Sequence, residues 1–195
     1  MIELQVVRLI FFCGIINNLV FISKMANHIS HISKNVSHSI SNGWTTVLYS
    51  VLLISGSKLA ETHWEKLFLI WLAEHDQNHL GQGMVGIDVD SIHWSNSEYE
   101  QQGEFIVKIA QNAINNSCWN ELNYNTDEKV LVELLNLWSD VFSNVRIDNI
   151  VVKDDFAWYN KPKPFQVEMK CHIHGIFLNQ LGNTKKDCCY LCHNS

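Results

Sequence analysis

THWEKLFLIWLAEHDQNHLGQGMVGIDVDSIHW, residues Thr62–Trp94, decides the fold class. Thr62 followed by Glu65 has capping-box spacing: the hydroxyl accepts from one free N–H of a first helical turn, and the carboxylate reaches back to another. Leu67, Phe68, Trp71 and Leu72 then recur at three- and four-residue spacing, which makes one apolar helix face. The pattern predicts a helix over Thr62–Asn78, stopped by Gly81 and Gly83. Beyond the glycines, Val85, Ile87 and Val89 alternate with Gly86, Asp88 and Asp90, the period of a strand that buries one face and wets the other. Helix, glycine turn and strand in this order point to an α+β domain.

Working outward, residues 44–56, WTTVLYSVLLISG, are a near-continuous apolar run closed by Gly56. Length and the closing glycine favour a helix, antiparallel to the next one across a short connection. Ser95-Asn96-Ser97-Glu98 repeats the capping-box pattern and opens a helix to Asn115, with Phe105, Ile106, Ile109, Ala113 and Ile114 as its inner stripe. Thr126 caps a further helix whose inner face is Val130, Leu131, Leu134, Leu135, Trp138, Val141 and Phe142. Val145–Val152 is β-branched and short, a strand pattern. Pro162 and Pro164 mark a stiff linker into the tail. The expected architecture is a mostly helical α+β domain with a small antiparallel sheet over residues 44–160, and a C-terminal zinc knuckle over 161–195.

Residues 1–43 divide in two. The first 24 are apolar; Glu3 against Arg8 and the lack of a small-x-small cleavage site make a poor signal peptide, Asn17 and Asn18 interrupt a spanning helix of about 20 apolar residues, and a first core helix or strand is an alternative. A membrane tether here is one alternative, and a start at Met25 would remove it. Residues 26–43, rich in Ser, His and Asn without a clear period, read as a mobile linker with solvated histidines.

Apolar residues make up 47% of the 195 and charged residues 17%, a globular composition with a heavy aromatic load of seven Trp and nine Phe. The net charge is −6, and Arg8 and Arg146 are the only arginines. Nucleic-acid binders carry a basic patch, with Arg favoured for phosphate and guanine, so that class is excluded. An acidic surface suits a basic protein partner.

Four of the six cysteines fall in the last 25 residues, interleaved with histidines. A secreted disulfide scaffold spreads its cysteines, whereas such a cluster implies metal binding in a reducing, cytoplasmic setting. In KCHIHGIFLNQLGNTKKDCCYLCHNS, Cys171-x2-His174 and Cys189-x2-Cys192 stand fourteen residues apart. Each half-motif lets two side chains of a tight turn converge on one tetrahedral ion. Gly175 supplies the positive φ such a turn needs. Three thiolates and an imidazole leave zinc no open position, so the ion is structural. Cys188, His172 and His193 are neighbouring donors that leave the exact ligand set open. These 25 or so residues resemble a zinc ribbon or treble-clef knuckle, and the resemblance implies the metal role alone.

Other constellations carry less. His75 and His79 share helical i, i+4 spacing with Asp76 between them, an arrangement like that of a metalloprotease, with Asp88, Asp90 or His93 as a third ligand. A metal-dependent hydrolase is therefore an alternative, set against a plain polar helix end where His⁺ suits the dipole. Gly81-x-Gly83-x-x-Gly86 follows a helix and enters a strand, the reverse of the dinucleotide-binding order. Finally, GQGMVGIDVDSIHW followed by EYEQQGEFIVKIAQNAI is similar in general character to bacterial toxin-immunity proteins: acidic, aromatic, one α+β domain. That resemblance implies a protein-interaction module, an inhibitor of a basic toxin. Its expected surface is Asp88, Asp90, Glu98 and Glu100, with Trp94 and Tyr99 as aromatic anchors.

Overall fold

The computed structural model describes residues 27–31, 35–75, 86–143, 145, 146, 148, 150, 170–177 and 192. Among them the chain runs β1 (Asn27–His31), β2 (Val36–Ile40), α1 (Asn42–Leu59), α2 (His63–Glu74), β3 (Ile87–Asp88), α3 (Tyr99–Asn115) and α4 (Glu128–Phe142), with 3₁₀ turns at Val89–Ser91 and Cys118–Glu121. The α+β class, mostly helical with a small sheet, is as expected.

The hairpin of β1 and β2 corrects the linker expected at 26–43. The two strands pair antiparallel, Ile29 opposite His38 and Asn27 opposite Ile40. β1 is the middle strand, because β3 pairs with its other edge in parallel, Ile29 to Ile87. The sheet is thus mixed rather than purely antiparallel. Composition misled here because few apolar side chains suffice: Ile29 and Ile40 enter the core, and Asn27 Nδ2 donates to Thr45 Oγ1 at 2.9 Å. Ser37, His38 and Ser39 of β2 face water, which is where polar residues belong on an edge strand.

Helix α1 starts where Ser41 Oγ accepts from the Trp44 N–H. Gly56 does not end it. A Cβ there would lie 2.4 Å from Leu69 Cδ2, so this glycine lets α1 and α2 approach closely. Helix α2 opens with the expected capping box: Thr62 Oγ1 accepts from Glu65 N at 3.2 Å and Glu65 Oε2 from Thr62 N at 2.8 Å. It ends at Glu74 rather than Asn78, and 76–85 lie outside the described residues. Every residue from Leu67 to Ala73 is buried, so the helix is enclosed on all sides instead of on one face.

After α2 the strand is brief. Asp88 Oδ1 accepts from Asp90 N at 3.1 Å and Ser91 Oγ donates to Asp88 O at 2.6 Å, which folds the chain into the 3₁₀ turn. The capping box expected at Ser95–Glu98 is not formed: Glu98 makes no capping bond, and Gln102 Oε1 instead accepts from Ser95 N at 3.0 Å. Asp127, one residue after the expected Thr126, caps α4 by accepting from Val130 N. Val145, Arg146, Asp148 and Ile150 are not in a strand, contrary to the pattern of 145–152; the rest of that stretch lies outside the described residues.

The core joins the four described helices and the sheet. Three of its buried indole groups are satisfied by carbonyls: Trp64 Nε1 donates to His93 O at 2.9 Å, Trp94 Nε1 to Val89 O at 2.8 Å and Trp138 Nε1 to Ile106 O at 3.0 Å. Trp64 stacks on Phe68 and on Trp94, and Phe105 meets Phe68 edge-on. Ser55 Oγ donates to Ile109 O at 2.6 Å, a buried polar tie between α1 and α3.

Candidate metal centre

The KCHIHGIF segment makes a tight turn, held by two main-chain hydrogen bonds. Gly175 N–H donates to Cys171 O, and Cys171 N–H donates to Ile176 O, both at 2.8 Å. Gly175 has φ +66° with open space around its missing Cβ, so backbone conformation alone calls for glycine there. Lys170 and Phe177 bridge as an antiparallel pair at the base of the turn.

This knuckle docks on the C-terminal turn of α1. The Lys170 ammonium donates to Ser57 O, one of the carbonyls that a helix end leaves unpaired, and Phe177 N–H donates to Ser57 Oγ at 3.3 Å. A cation at this end also suits the helix dipole. Lys170 Nζ lies 4.6 Å over the Phe177 ring, and Cys171, Ile176 and Phe177 are part of the main core. None of this is visible in sequence, because Lys170 and Ser57 are 113 residues apart.

The turn presents its donors to Cys192. Cys171 Sγ lies 3.6 Å from Cys192 Sγ and 3.8 Å from His174 Nδ1, and Cys192 Sγ lies 3.4 Å from His174 Nδ1. A tetrahedral zinc with Zn–S near 2.3 Å and Zn–N near 2.0–2.1 Å would set S···S at about 3.8 Å and S···N at about 3.5 Å. The three distances fit that figure within a few tenths of an ångström, so these residues can hold a metal ion. Cys171 is buried, and His174 and Cys192 are half-buried. The sulfurs are far beyond the bonded distance of about 2.05 Å, so the pair is a dithiol. Of the other expected donors, His172 is exposed and outside this group, while Cys188, Cys189 and His193 lie outside the described residues.

No protein-family model matches the chain, and no similar curated protein or solved structure was found.

The expected partner surface changes more. Trp94 is fully buried in the core, its indole nitrogen bonded to Val89 O, and cannot serve as an anchor. Periodicity misplaced it because the 3₁₀ turn at Val89–Ser91 breaks the strand's alternation. Asp88 shapes that turn, and Asp88 and Asp90 are both half-buried. Glu98 and Glu100 are exposed, and Tyr99 is half-buried with its hydroxyl donating to Glu100 Oε1 at 3.1 Å. That hydrogen bond to a carboxylate raises the Tyr99 pKa.

His75 closes α2. Its Nδ1 faces Trp71 O at 3.1 Å, and its ring centroid is 3.9 Å from that of Trp71. Burial pushes its pKa below the ordinary value of 6.5, against the smaller raising effect of the Trp71 carbonyl. The imidazole is therefore held toward its neutral form rather than the His⁺ that a helix end was expected to favour. His79 lies outside the described residues. Among the described residues, His75, Asp88, Asp90 and His93 form no metal-ligand group. Residues 1–24 are likewise outside, and no described helix is long and apolar enough to cross a membrane.

Proposed function

We propose that this chain is a protein-interaction module whose tail is held by a structural zinc, with Cys171, His174 and Cys192 as three ligands and Cys189 as the fourth. The observation that carries the metal half is the spacing of the three ligand atoms, 3.4–3.8 Å from one another. Mixed thiolate and imidazole donors at tetrahedral spacing favour zinc over the oxygen-seeking cations. Cys189, three residues before Cys192, completes the second half-motif. Four protein ligands leave no position for water, hence a structural ion.

The interaction half rests on charge and shape. With Trp94 in the core, what remains of the acidic face runs along α3. Glu100 and Glu104 line a groove of about 500 Å³ together with Tyr99, Val107, Lys108, Phe142 and Val145. A basic segment fits such a groove: aliphatic stems on the apolar lining, ammonium or guanidinium groups at the carboxylates. An immunity-type inhibitor of a basic bacterial toxin is the most concrete form of this reading.

Metal analysis of the purified full-length chain tests the first half. One zinc per polypeptide, lost in Cys171→Ser, is the expected result; no zinc would defeat it. For the second half, Glu100→Lys with Glu104→Lys should weaken capture of a basic partner, and Glu133→Lys on α4 should not. Equal effects from both would remove the groove from the proposal.

A further inference from the structure

The two sulfurs of the metal centre differ in exposure and in constraint. Cys171 is 1% exposed and fixed by the main-chain bonds of the knuckle turn, whereas Cys192 is half-buried. Their 3.6 Å separation leaves about 1.5 Å of travel to a disulfide of about 2.05 Å. A coordinated cysteine is already deprotonated, and the thiolate is the form that oxidants attack. The centre therefore holds two thiolates within reach of each other, Cys192 the more exposed and Cys171 the buried one.

We propose that Cys192 and Cys171 are a peroxide-oxidisable pair, with Cys192 attacking hydrogen peroxide, Cys171 resolving the product, and the resulting disulfide expelling the metal. This rests on the metal reading above. In the first step Cys192 Sγ attacks one peroxide oxygen. An S–O bond forms, the O–O bond breaks, hydroxide leaves, and Cys192 becomes a sulfenic acid. In the second step Cys171 Sγ attacks that sulfur. The S–S bond forms, the S–O bond breaks, and a second hydroxide leaves. The two sulfurs together give up the two electrons that peroxide takes. Zinc leaves as the divalent ion with its oxidation state unchanged, because the disulfide no longer offers it two thiolates. The knuckle turn then loses its pin beside the point where Lys170 and Phe177 grip Ser57.

The test uses the metal-loaded full-length chain, its zinc counted first, then treated with hydrogen peroxide with and without dimedone as a sulfenic-acid trap. Non-reducing peptide mapping should find a Cys171–Cys192 disulfide, with one zinc released per disulfide and both restored by reductant plus zinc. With the trap present, dimedone should label chiefly Cys192 rather than Cys171, following exposure. A disulfide joining Cys192 to any other cysteine, or trapping chiefly on Cys171, overturns the assignment. Zinc present and retained with both thiols reduced overturns the proposal and leaves the metal reading standing. A chain that carries no zinc before treatment overturns that reading and the proposal together.

Discussion

The helical core and the C-terminal knuckle are built on opposite principles, although they touch. In the core, α2 is buried on every side from Leu67 to Ala73, and Trp64, Trp94 and Trp138 each bond their indole N–H to a carbonyl. Its cohesion is spread over many side chains and a large apolar area. Among its described residues the knuckle contributes Cys171, Ile176 and Phe177 to that core, and Lys170 and Phe177 meet α1 through Ser57. So small a segment lacks the apolar area to order itself, and a metal ion is the natural substitute. The difference teaches that one chain can use distributed packing for its body and a point fastener for its tail. The two should fail under different treatments.

The largest expected effect is on the core. Trp94→Ala should cost about 3–5 kcal/mol of stability, the range for truncating a buried aromatic side chain. It also leaves the Val89 carbonyl without its indole donor. Urea unfolding should show the loss with metal content unchanged in the fraction that remains folded. A variant as stable as the wild type would restore Trp94 to the surface and undo the comparison.

Removing the ion should act on the other region. At a free zinc concentration about a hundredfold above Kd, chelation should lower stability by about 2.7 kcal/mol. Hydrogen exchange should locate the loss: the Cys171 and Gly175 amides, bonded within the turn, should lose protection, while those of α3 and α4 keep theirs. Uniform deprotection of all helices would mean that the knuckle and the core are one cooperative unit.

A smaller effect separates what sequence shows from what it hides. Thr62→Ala should cost about 1 kcal/mol, as for other lost N-caps, measurable by thermal unfolding. That cap was readable because Thr62 and Glu65 are three residues apart and their chemistry is local. The inner faces of α3 and α4, and the pairing of Cys171 with His174, were readable for the same reason: fixed short spacings map onto known geometry. The hairpin at 27–40 was hidden, since its stability comes from pairing with β3 and from Ile29 and Ile40 reaching a core built elsewhere. The role of Ser57 was hidden for the same reason, as its partners come from the far end of the chain. Trp94 was misplaced by the turn that the Asp90 N–H makes in donating to Asp88 Oδ1, which ends the alternation two residues early.

The smallest effect concerns pH at the end of α2. Burial lowers the His75 pKa below 6.5, so the folded state holds this imidazole neutral where the unfolded chain would already bind a proton. Between the folded and unfolded pKa values the unfolded state carries more protons, and stability there rises with pH. Acidification through about pH 6.5 should therefore begin to remove stability, and the loss from this group should level off once pH falls below its folded value. His75→Gln removes the titration and leaves an amide able to donate to Trp71 O, so its stability should fall less between pH 7 and 5 than that of the wild type. The comparison is best made by urea unfolding at each pH with zinc held saturating, so that protonation of metal ligands does not enter the difference. Parallel curves would show that His75 is solvated in the folded state, which would reopen its availability as a ligand.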